Sequence, residues 1–436
     1  MKPITALCVV FVCACGAFAQ ERPQAFTGAQ IIPVSGPPIV GGVLVVHRGK
    51  IVAAGPAGST SIPADAERID VTGKVIMPGL VDTHSHIGGG SGADGSAPLQ
   101  PDVRLLDSFD PRDTSLKRAR AGGLTTVNVM PGSGHLLSGQ TLYLKLRNAT
   151  IIDDLLIRDA QGTIAGGIKM ANGTNSLRAG ASGPFPGTRA KSAALQREMF
   201  IKAQIYRDKV TKAQGDKEKM PARDLAMEAL VDVLDRKRVV QFHTHRQDDI
   251  LTVLRLSKEF GFRVVLQHVS EGWKVAQEIA KAGAPCSIIN VDAPGGKIET
   301  INLSLENAKI LDSAGALVGF HTDDYITDSR HFLRSAALAV RAGLSREKAL
   351  YGLTMAGARM LDLAKRVGSL EAGKDADFII LSGDPFSVYT KVLETWVEGV
   401  KVFDRSRPED LLYATGGYGA GRDSAQHIHE AEGEWK

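Results

Sequence analysis

The chain has 436 residues, which is enough for one large domain and a small accessory one. Hydrophobic residues make up 43% and charged residues 23%, proportions that are ordinary for a soluble globular protein. The formal net charge of +4 is small for this length and argues against a dedicated nucleic-acid surface, which needs clustered lysine and arginine.

The first nineteen residues have the pattern of a secretory leader. Lys2 gives a positive start, residues 4–15 are almost wholly apolar, and residues 17–19 read Ala-Phe-Ala, a cleavage signal. The apolar run is short for a bilayer span; a membrane anchor and a lipid-modified Cys15 are the alternatives. We expect a periplasmic or secreted protein with no membrane association after cleavage. Only Cys286 then remains, so no internal disulfide can form.

Both ends of the mature chain have the sequence pattern of short strands joined by turns. Residues 20–78 contain apolar runs around turn signals such as Arg-Gly-Lys, and residues 366–404 show the same pattern. We expect the two segments to join in one small β-sandwich domain. Residues 405–436 are rich in glycine and predict a tail that is flexible or packs across a neighbour.

Residues 79–365 alternate short apolar runs with longer amphipathic segments. Such repeated strand–helix units predict a parallel sheet with crossover helices, and about eight of them favour a closed (β/α)₈ TIM-like barrel of the α/β class. A third strand is expected near 151–157. The other predicted strands are 125–130, 164–170, 239–243, 263–267, 285–289 and 317–320, and the predicted helices include 195–211, 223–236, 248–260, 273–282, 304–314 and 346–363.

The strongest chemical signal is the His-x-His pair that ends the apolar run of residues 75–82. His84 and His86 are two residues apart, so on a strand both imidazoles point the same way, as a shared metal requires. A pair of core histidines is the structural alternative. We interpret both as metal ligands, because the carboxyl ends of barrel strands converge on one face.

A single lysine, Lys169, lies near the end of the otherwise apolar run 164–170. A buried lysine is costly unless it is neutralised or paired. One solution is reaction with CO₂ to give a carbamate, an anion able to bridge two metal ions. An ion-paired or surface lysine is the alternative.

Later strands supply further candidate ligands. His243 and His245 repeat the His-x-His pattern, and we favour His243 as the metal ligand and His245 as a substrate contact. His268 ends the next strand and Asp323 follows the last one, where a carboxylate can both ligate metal and shuttle a proton. Asp324 is the alternative to Asp323.

The order of these candidates resembles the metal-dependent amidohydrolase superfamily, within it the imidazolonepropionase-related branch that also contains prolidase-like dipeptidases. Residues 75–82 before the first pair and the Val-Gly-Ser-Leu-Glu-Ala-Gly-Lys segment from Val367 also resemble that superfamily. The segment around Lys169 is similar to the carboxylated-lysine strand of the dipeptidases. The resemblance implies a divalent metal, usually Zn²⁺, with two ions if Lys169 is carboxylated and otherwise one.

The implied chemistry is hydrolysis of an amide, peptide or lactam C–N bond. A bound metal lowers the pKa of a coordinated water from about 15.7 towards about 7. The hydroxide attacks the carbonyl, and Asp323 and His268 are the predicted catalytic residues. His135, His245 and Arg246 are predicted to bind a small-molecule or short-peptide substrate. The alternatives are a mononuclear deaminase and an imidazolonepropionase-type cyclic amide hydrolase. A homo-oligomer is possible on the same resemblance.

Overall fold

The protein is described from a computed structural model that covers residues 22–89, 94–178, 183–290, 297–417 and 419–420. The predicted leader lies outside the described residues, so the export of this protein stays a prediction. Within the described ranges, no helix combines the length and the apolar composition that crossing a bilayer requires.

The chain alternates strands and helices after an initial all-strand segment. The strands are β1 (Gln24–Ile31), β2 (Ile39–His47), β3 (Lys50–Pro56), β4 (Glu67–Asp70), β5 (Val75–Pro78), β6 (Leu80–Ser85), β7 (Leu124–Val129), β8 (Leu137–Gln140), β9 (Leu142–Lys145), β10 (Ile168–Ala171), β11 (Val240–Thr244), β12 (Val264–His268), β13 (Cys286–Ile288), β14 (Val318–Phe320), β15 (Phe378–Leu381), β16 (Val392–Val397) and β17 (Val400–Asp404). The helices are α1 (Thr114–Ala121), α2 (Arg189–Ala213), α3 (Leu225–Leu234), α4 (Gln247–Phe260), α5 (Ala276–Ala282), α6 (Asn307–Ser313), α7 (Phe332–Arg341), α8 (Arg346–Leu353), α9 (Met355–Met360) and α10 (Pro408–Thr415).

The two ends of the chain meet in one eight-stranded sheet. Its order is β17-β16-β15-β5-β1-β2-β3, with β4 also paired to β1. The antiparallel pairing of β15 with β5 joins the C-terminal strands directly to the N-terminal ones. Phe26 packs edge-on against Phe378 and Trp396, with ring centroids 5.0 and 5.2 Å apart. The described strands of the two ends therefore form a single sheet, and the finer prediction of a sandwich stays a prediction.

The middle of the chain forms two further sheets, ordered β6-β7-β9 and β14-β13-β12-β11-β10-β8. From β10 to β14 every neighbouring pair is parallel, and helices fill the connections, as the alternating pattern predicted. The described strands are thus divided between two sheets instead of forming the single closed sheet expected from the sequence.

The predicted third strand near 151–157 is wrong. That segment contains a short 3₁₀ helix, Ile152–Asp154, and the position between β7 and β10 is filled by β8 and β9 instead. These two strands are separated only by Thr141 and run antiparallel to their neighbours. This one segment therefore pairs with both sheets, because β9 pairs with β7 and β8 pairs with β10.

The first and last strands of the middle segment lie side by side at their carboxyl ends. Buried Asp82 accepts hydrogen bonds from the backbone N (3.1 Å) and the hydroxyl (2.5 Å) of Thr322. The backbone N of Asp323 donates to the carbonyl of His84 at 2.9 Å. These bonds bring the ends of β6 and β14 together. The carboxyl ends of β6, β10, β11, β12 and β14 are called the barrel rim below.

The predicted helix over 346–363 is interrupted. Thr354 has φ −135° and ψ −84°, outside the helical region, and it separates α8 from α9. The break lets α9 pack closely on β6: a Cβ added at Gly357 would lie 2.9 Å from the carbonyl oxygen of Val81.

The start of the predicted tail packs against the rest of the protein as α10. The Tyr413 hydroxyl accepts a hydrogen bond from Lys117 Nζ at 3.2 Å, and the guanidinium of Arg330 donates to the Gly416 carbonyl at 2.5 Å. Residues 421–436 of the predicted tail lie outside the described residues.

Candidate metal centre

The first group of candidate ligands combines the ends of β6 and β14. Asp323 Oδ1 lies 3.3 Å from His84 Nε2 and 3.0 Å from His86 Nε2, and the two imidazole nitrogens are 3.2 Å apart. His84 is buried, whereas the side chain of Asp323 keeps 18% exposure. The other nitrogen of His86 faces the Met130 carbonyl at 2.8 Å, which fixes the ring so that Nε2 points inward. The side chains of His84, His86 and Asp323 together could hold one metal ion.

Lys169 lies at the edge of this first group. Its side chain is fully buried, and Nζ is 3.0 Å from His84 Nε2 and 3.1 Å from Met130 Sδ. Burial lowers the pKa of Lys169 to about 7. A lysine in this position has an amine that is substantially uncharged at neutral pH, as carbamate formation requires.

A second group lies across the rim. Nitrogen atoms of His243, His245 and His268, from β11, its following residue and β12, come within 4.8 Å of one another. The Nδ1 of His245 is 2.7 Å from the Ser270 hydroxyl, which orients its other nitrogen. The structure therefore places His245, predicted as a substrate contact, among the candidate ligands together with His243.

His321, to which sequence analysis assigns no role in the site, lies between the two groups: ligand nitrogens of His84, His268 and His321 are within 4.8 Å of one another. Its Nε2 lies 3.1 Å from His268 Nδ1, and its Nδ1 lies 2.8 Å from the Ser287 hydroxyl, which in turn is 2.5 Å from that of Thr83. This buried chain of hydrogen bonds holds the His268 ring and leaves its Nε2 free to ligate. Such outer partners of ligating histidines fix the tautomer and ring orientation.

Glu299 was missed at the level of sequence. It lies in the 3₁₀ helix Ile298–Thr300, between β13 and α6, and its Oε1 is 3.9 Å from His243 Nε2 and 4.0 Å from His245 Nε2. Its local sequence is Ile298-Glu299-Thr300-Ile301, and nothing in the spacing of these residues marks Glu299 as a candidate ligand.

The donor atoms at the rim fit a metal ion. Within the described ranges, both nitrogens of His243, the Nε2 of His268 and the Oε1 of Glu299 are buried without a hydrogen-bond partner. Buried polar atoms without partners are costly and rare. A divalent cation would satisfy one nitrogen of each histidine and the carboxylate oxygen, since neutral imidazole and carboxylate are the ligands that zinc prefers.

The protonation states suit ligation as well. Burial is the largest cause that holds the pKa of His84 and of His268 well below the usual range, so both rings are neutral at physiological pH. Burial by itself would raise the pKa of Asp323, but the facing imidazoles of His84 and His86 hold it well below its usual value. Neutral imidazoles and an ionised carboxylate are the forms that bind metal.

Two of the candidate ligands have strained backbones. His268 has φ 70° and Asp323 has φ 50°, in the left-handed region that non-glycine residues rarely occupy. Such conformations persist where the surrounding structure enforces them, and they cluster at functional sites.

The remaining two predicted substrate contacts are not brought into these groups. His135 is buried and packs on Phe185, with ring centroids 5.2 Å apart. Arg246 pairs with Asp248 at 3.0 Å and its side chain is 44% exposed. Their roles stay predictions.

The comparisons with known proteins agree with this architecture. Residues 75–403 match the model of the amidohydrolase family. A solved amidohydrolase from Thermotoga maritima MSB8 has a TM-score of 0.80 and 33% identity to this chain, and the match covers 87% of this chain and 100% of that one. The likeness supports a TIM-barrel fold with mixed α/β content.

Two curated relatives are more distant. The amidohydrolase tasK of Hapsidospora irregularis is 26% identical over 83% of this chain, which spans only 40% of that protein's length. An imidazolonepropionase of Rhizobium rhizogenes is 27% identical, over 83% of this chain and 92% of the relative. With the rim geometry and the family match over residues 75–403, we conclude that the chain belongs to the amidohydrolase family and is a hydrolase acting on carbon–nitrogen bonds.

Proposed function

We propose that the protein is an exported hydrolase that cleaves a C–N bond in a small amide, a short peptide or a lactam with the help of bound divalent metal. The observation that carries the proposal is the convergence of His84, His86, His243, His268 and Asp323 on one rim. Export rests on the leader pattern of the sequence alone.

Zinc is the metal we propose, since its preferred donors are the imidazoles and carboxylates found at the rim. His84, His86 and Asp323 would hold one ion, and His243 and His268 would contribute to a second. A bound divalent cation supplies electrophilic activation of water and of the scissile carbonyl.

Asp323 is the proton carrier of the proposed reaction. Its carboxylate is ionised, it faces two imidazoles, and it keeps the partial exposure that contact with substrate needs. It accepts the proton of the attacking water and gives it to the leaving nitrogen, which departs as a neutral amine.

In this proposal, the carboxylation of Lys169 determines whether the site holds one metal ion or two. Its uncharged amine attacks CO₂, forms an N–C bond and releases a proton, which leaves an anionic carbamate able to face both groups of ligands. The position of Nζ, 3.0 Å from His84 Nε2, supports this role.

The substrate is proposed at the level of class. Dipeptides fit the resemblance to prolidase-like enzymes, with His135 and Arg246 as the proposed substrate contacts. The second candidate is hydrolysis of a cyclic amide, which the relation to an imidazolonepropionase across 92% of that protein favours.

One experiment tests the proposal. The purified enzyme is assayed against dipeptides, N-acyl amino acids and lactams, then stripped with a chelator, dialysed and resupplied with Zn²⁺. We expect hydrolysis of at least one class, its loss on stripping and its return with zinc. A His84→Asn variant is the matched control and should stay inactive when zinc is returned. Activity that survives thorough chelation would contradict the proposal.

A further inference from the structure

Glu299 is a buried carboxylate on an exposed segment. Its side chain is 1% exposed, whereas Ile298 and Ile301 beside it are 77% and 70% exposed. This is the reverse of the usual partition, in which apolar side chains are buried and carboxylates are solvated. Burying an ionised carboxylate is costly unless it is paired or coordinates a metal, so the orientation requires a partner.

One carboxylate oxygen is held by the turn that follows β10, the strand that carries Lys169. The backbone N of Thr174 donates to Glu299 Oε2 at 2.8 Å. Gly173 has φ 75°, and a Cβ added there would lie 2.5 Å from the same oxygen. Only glycine leaves room for this contact. The turn after β10 therefore holds the carboxylate in place, and its residues Gly173 and Thr174 are called the seat below.

The other oxygen faces the second group of imidazoles without a partner. Glu299 Oε1 is buried, it has no hydrogen bond, and it lies 3.9 and 4.0 Å from the Nε2 atoms of His243 and His245. These separations are too long for hydrogen bonds. Two tetrahedral zinc ligands at about 2.0–2.1 Å from the ion are roughly 3.4 Å apart, so a contraction of about 0.5 Å would bring Oε1 to that separation from each imidazole nitrogen.

We propose that Glu299 is a carboxylate ligand of the second metal position, bound through Oε1 together with His243 and His245. The inference rests on the proposed metal-dependent function and extends it, because the family resemblance assigned no ligand to this segment. The seat at Gly173 and Thr174 then couples the second ion to the same strand that carries Lys169.

Metal counting tests the inference without relying on activity. The wild type and the variants Glu299→Gln and Gly173→Ala are loaded with zinc, dialysed and analysed for zinc per chain, and the affinity of each ion is measured by competition with a chromophoric chelator. Glu271→Gln is the matched control, since Glu271 is also buried on a rim loop but pairs with Lys274 at 2.7 Å. Circular dichroism of each metal-free variant reports whether it is folded.

We expect two zinc ions in the wild type and in Glu271→Gln. Glu299→Gln should keep one zinc ion, and its affinity for the second ion should fall by more than about 100-fold. Replacing a residue that only orients a ligand costs about 10–100-fold in metal affinity, so a larger fall indicates direct coordination. Gly173→Ala should lower the affinity for the same second ion. If Glu299→Gln does not fold, the affinity of Gly173→Ala tests the inference in its place.

Other outcomes overturn the inference in distinguishable ways. Two ions at wild-type affinity in Glu299→Gln would remove Glu299 as a ligand and leave the proposed hydrolase intact. A single ion in the wild type would remove the second position and leave a mononuclear enzyme. Catalysis in a wild type that binds no zinc would overturn the inference and the proposed function together.

Discussion

Replacing Asp323 with asparagine should remove most of the turnover and little of the metal. The amide keeps the size of the carboxylate and one oxygen donor, while His84 and His86 still offer two nitrogens to the first ion. The substitution removes the negative charge and the proton-accepting oxygen of Asp323, whose Oδ1 lies 3.3 Å from His84 Nε2 and 3.0 Å from His86 Nε2. General acid–base catalysis contributes typically about 10²–10⁴-fold, so the activation free energy should rise by about 3–5 kcal/mol.

The neighbouring carboxylate provides the control. Asp324 accepts hydrogen bonds from the backbone N (3.0 Å) and the hydroxyl of Ser329, and it lies outside the groups of candidate ligands. Asp324→Asn should therefore lower stability more than turnover. The assay measures kcat on the best substrate of the hydrolysis screen, with zinc per chain determined on the same samples. A fall of less than about tenfold in zinc-loaded Asp323→Asn would refute the assigned role.

Three further predictions concern the surroundings of the site. Lys169→Met should reduce zinc from two ions per chain to one, as measured by elemental analysis, whereas an unchanged count would exclude a bridging carbamate. Ser287→Ala should weaken zinc binding by about 10–100-fold in a chelator competition, because the bond that orients His321 against His268 is lost; unaltered affinity would show that this chain of hydrogen bonds does not position the ligand. Burial lowers the pKa of His243 to about 4 and that of His321 to about 3, so between pH 6.5 and about pH 4 the unfolded chain binds protons that the folded chain does not. The metal-free protein should therefore lose stability as pH falls through this window in thermal unfolding, and a flat profile would contradict these shifts.

The sequence predicted the parts of the site that local pattern determines. His84 and His86 end an apolar strand two residues apart, and a strand places both imidazoles on one side whatever the rest of the fold does. His268 ends another buried strand in the same way. The structure brings these residues together at the rim.

Glu299 and His321 could not be assigned in this way. Glu299 lies outside any regular strand, and its approach to His243 depends on a seat at Gly173, 126 positions earlier in the chain. His321 directly follows β14, two positions before Asp323, but its bonds run to side chains of β12 and β13. Neither relationship leaves a periodic signal in the sequence.

The third strand was mispredicted for a related reason. Residues 151–157 are apolar enough to resemble a strand, but Ile152–Asp154 forms a 3₁₀ helix, and the pairing position is taken by β8 and β9. Strand pairing is decided by partners distant in sequence, and an antiparallel segment within a parallel pattern has no local mark.

Anomalous X-ray diffraction at the zinc edge would test the central claim most directly, since that claim is that side chains from separate strands share metal at one rim. The account predicts one peak coordinated by His84, His86 and Asp323 and a second coordinated by His243 and His268. A fully active crystal with no anomalous peak within bonding distance of these side chains would contradict it.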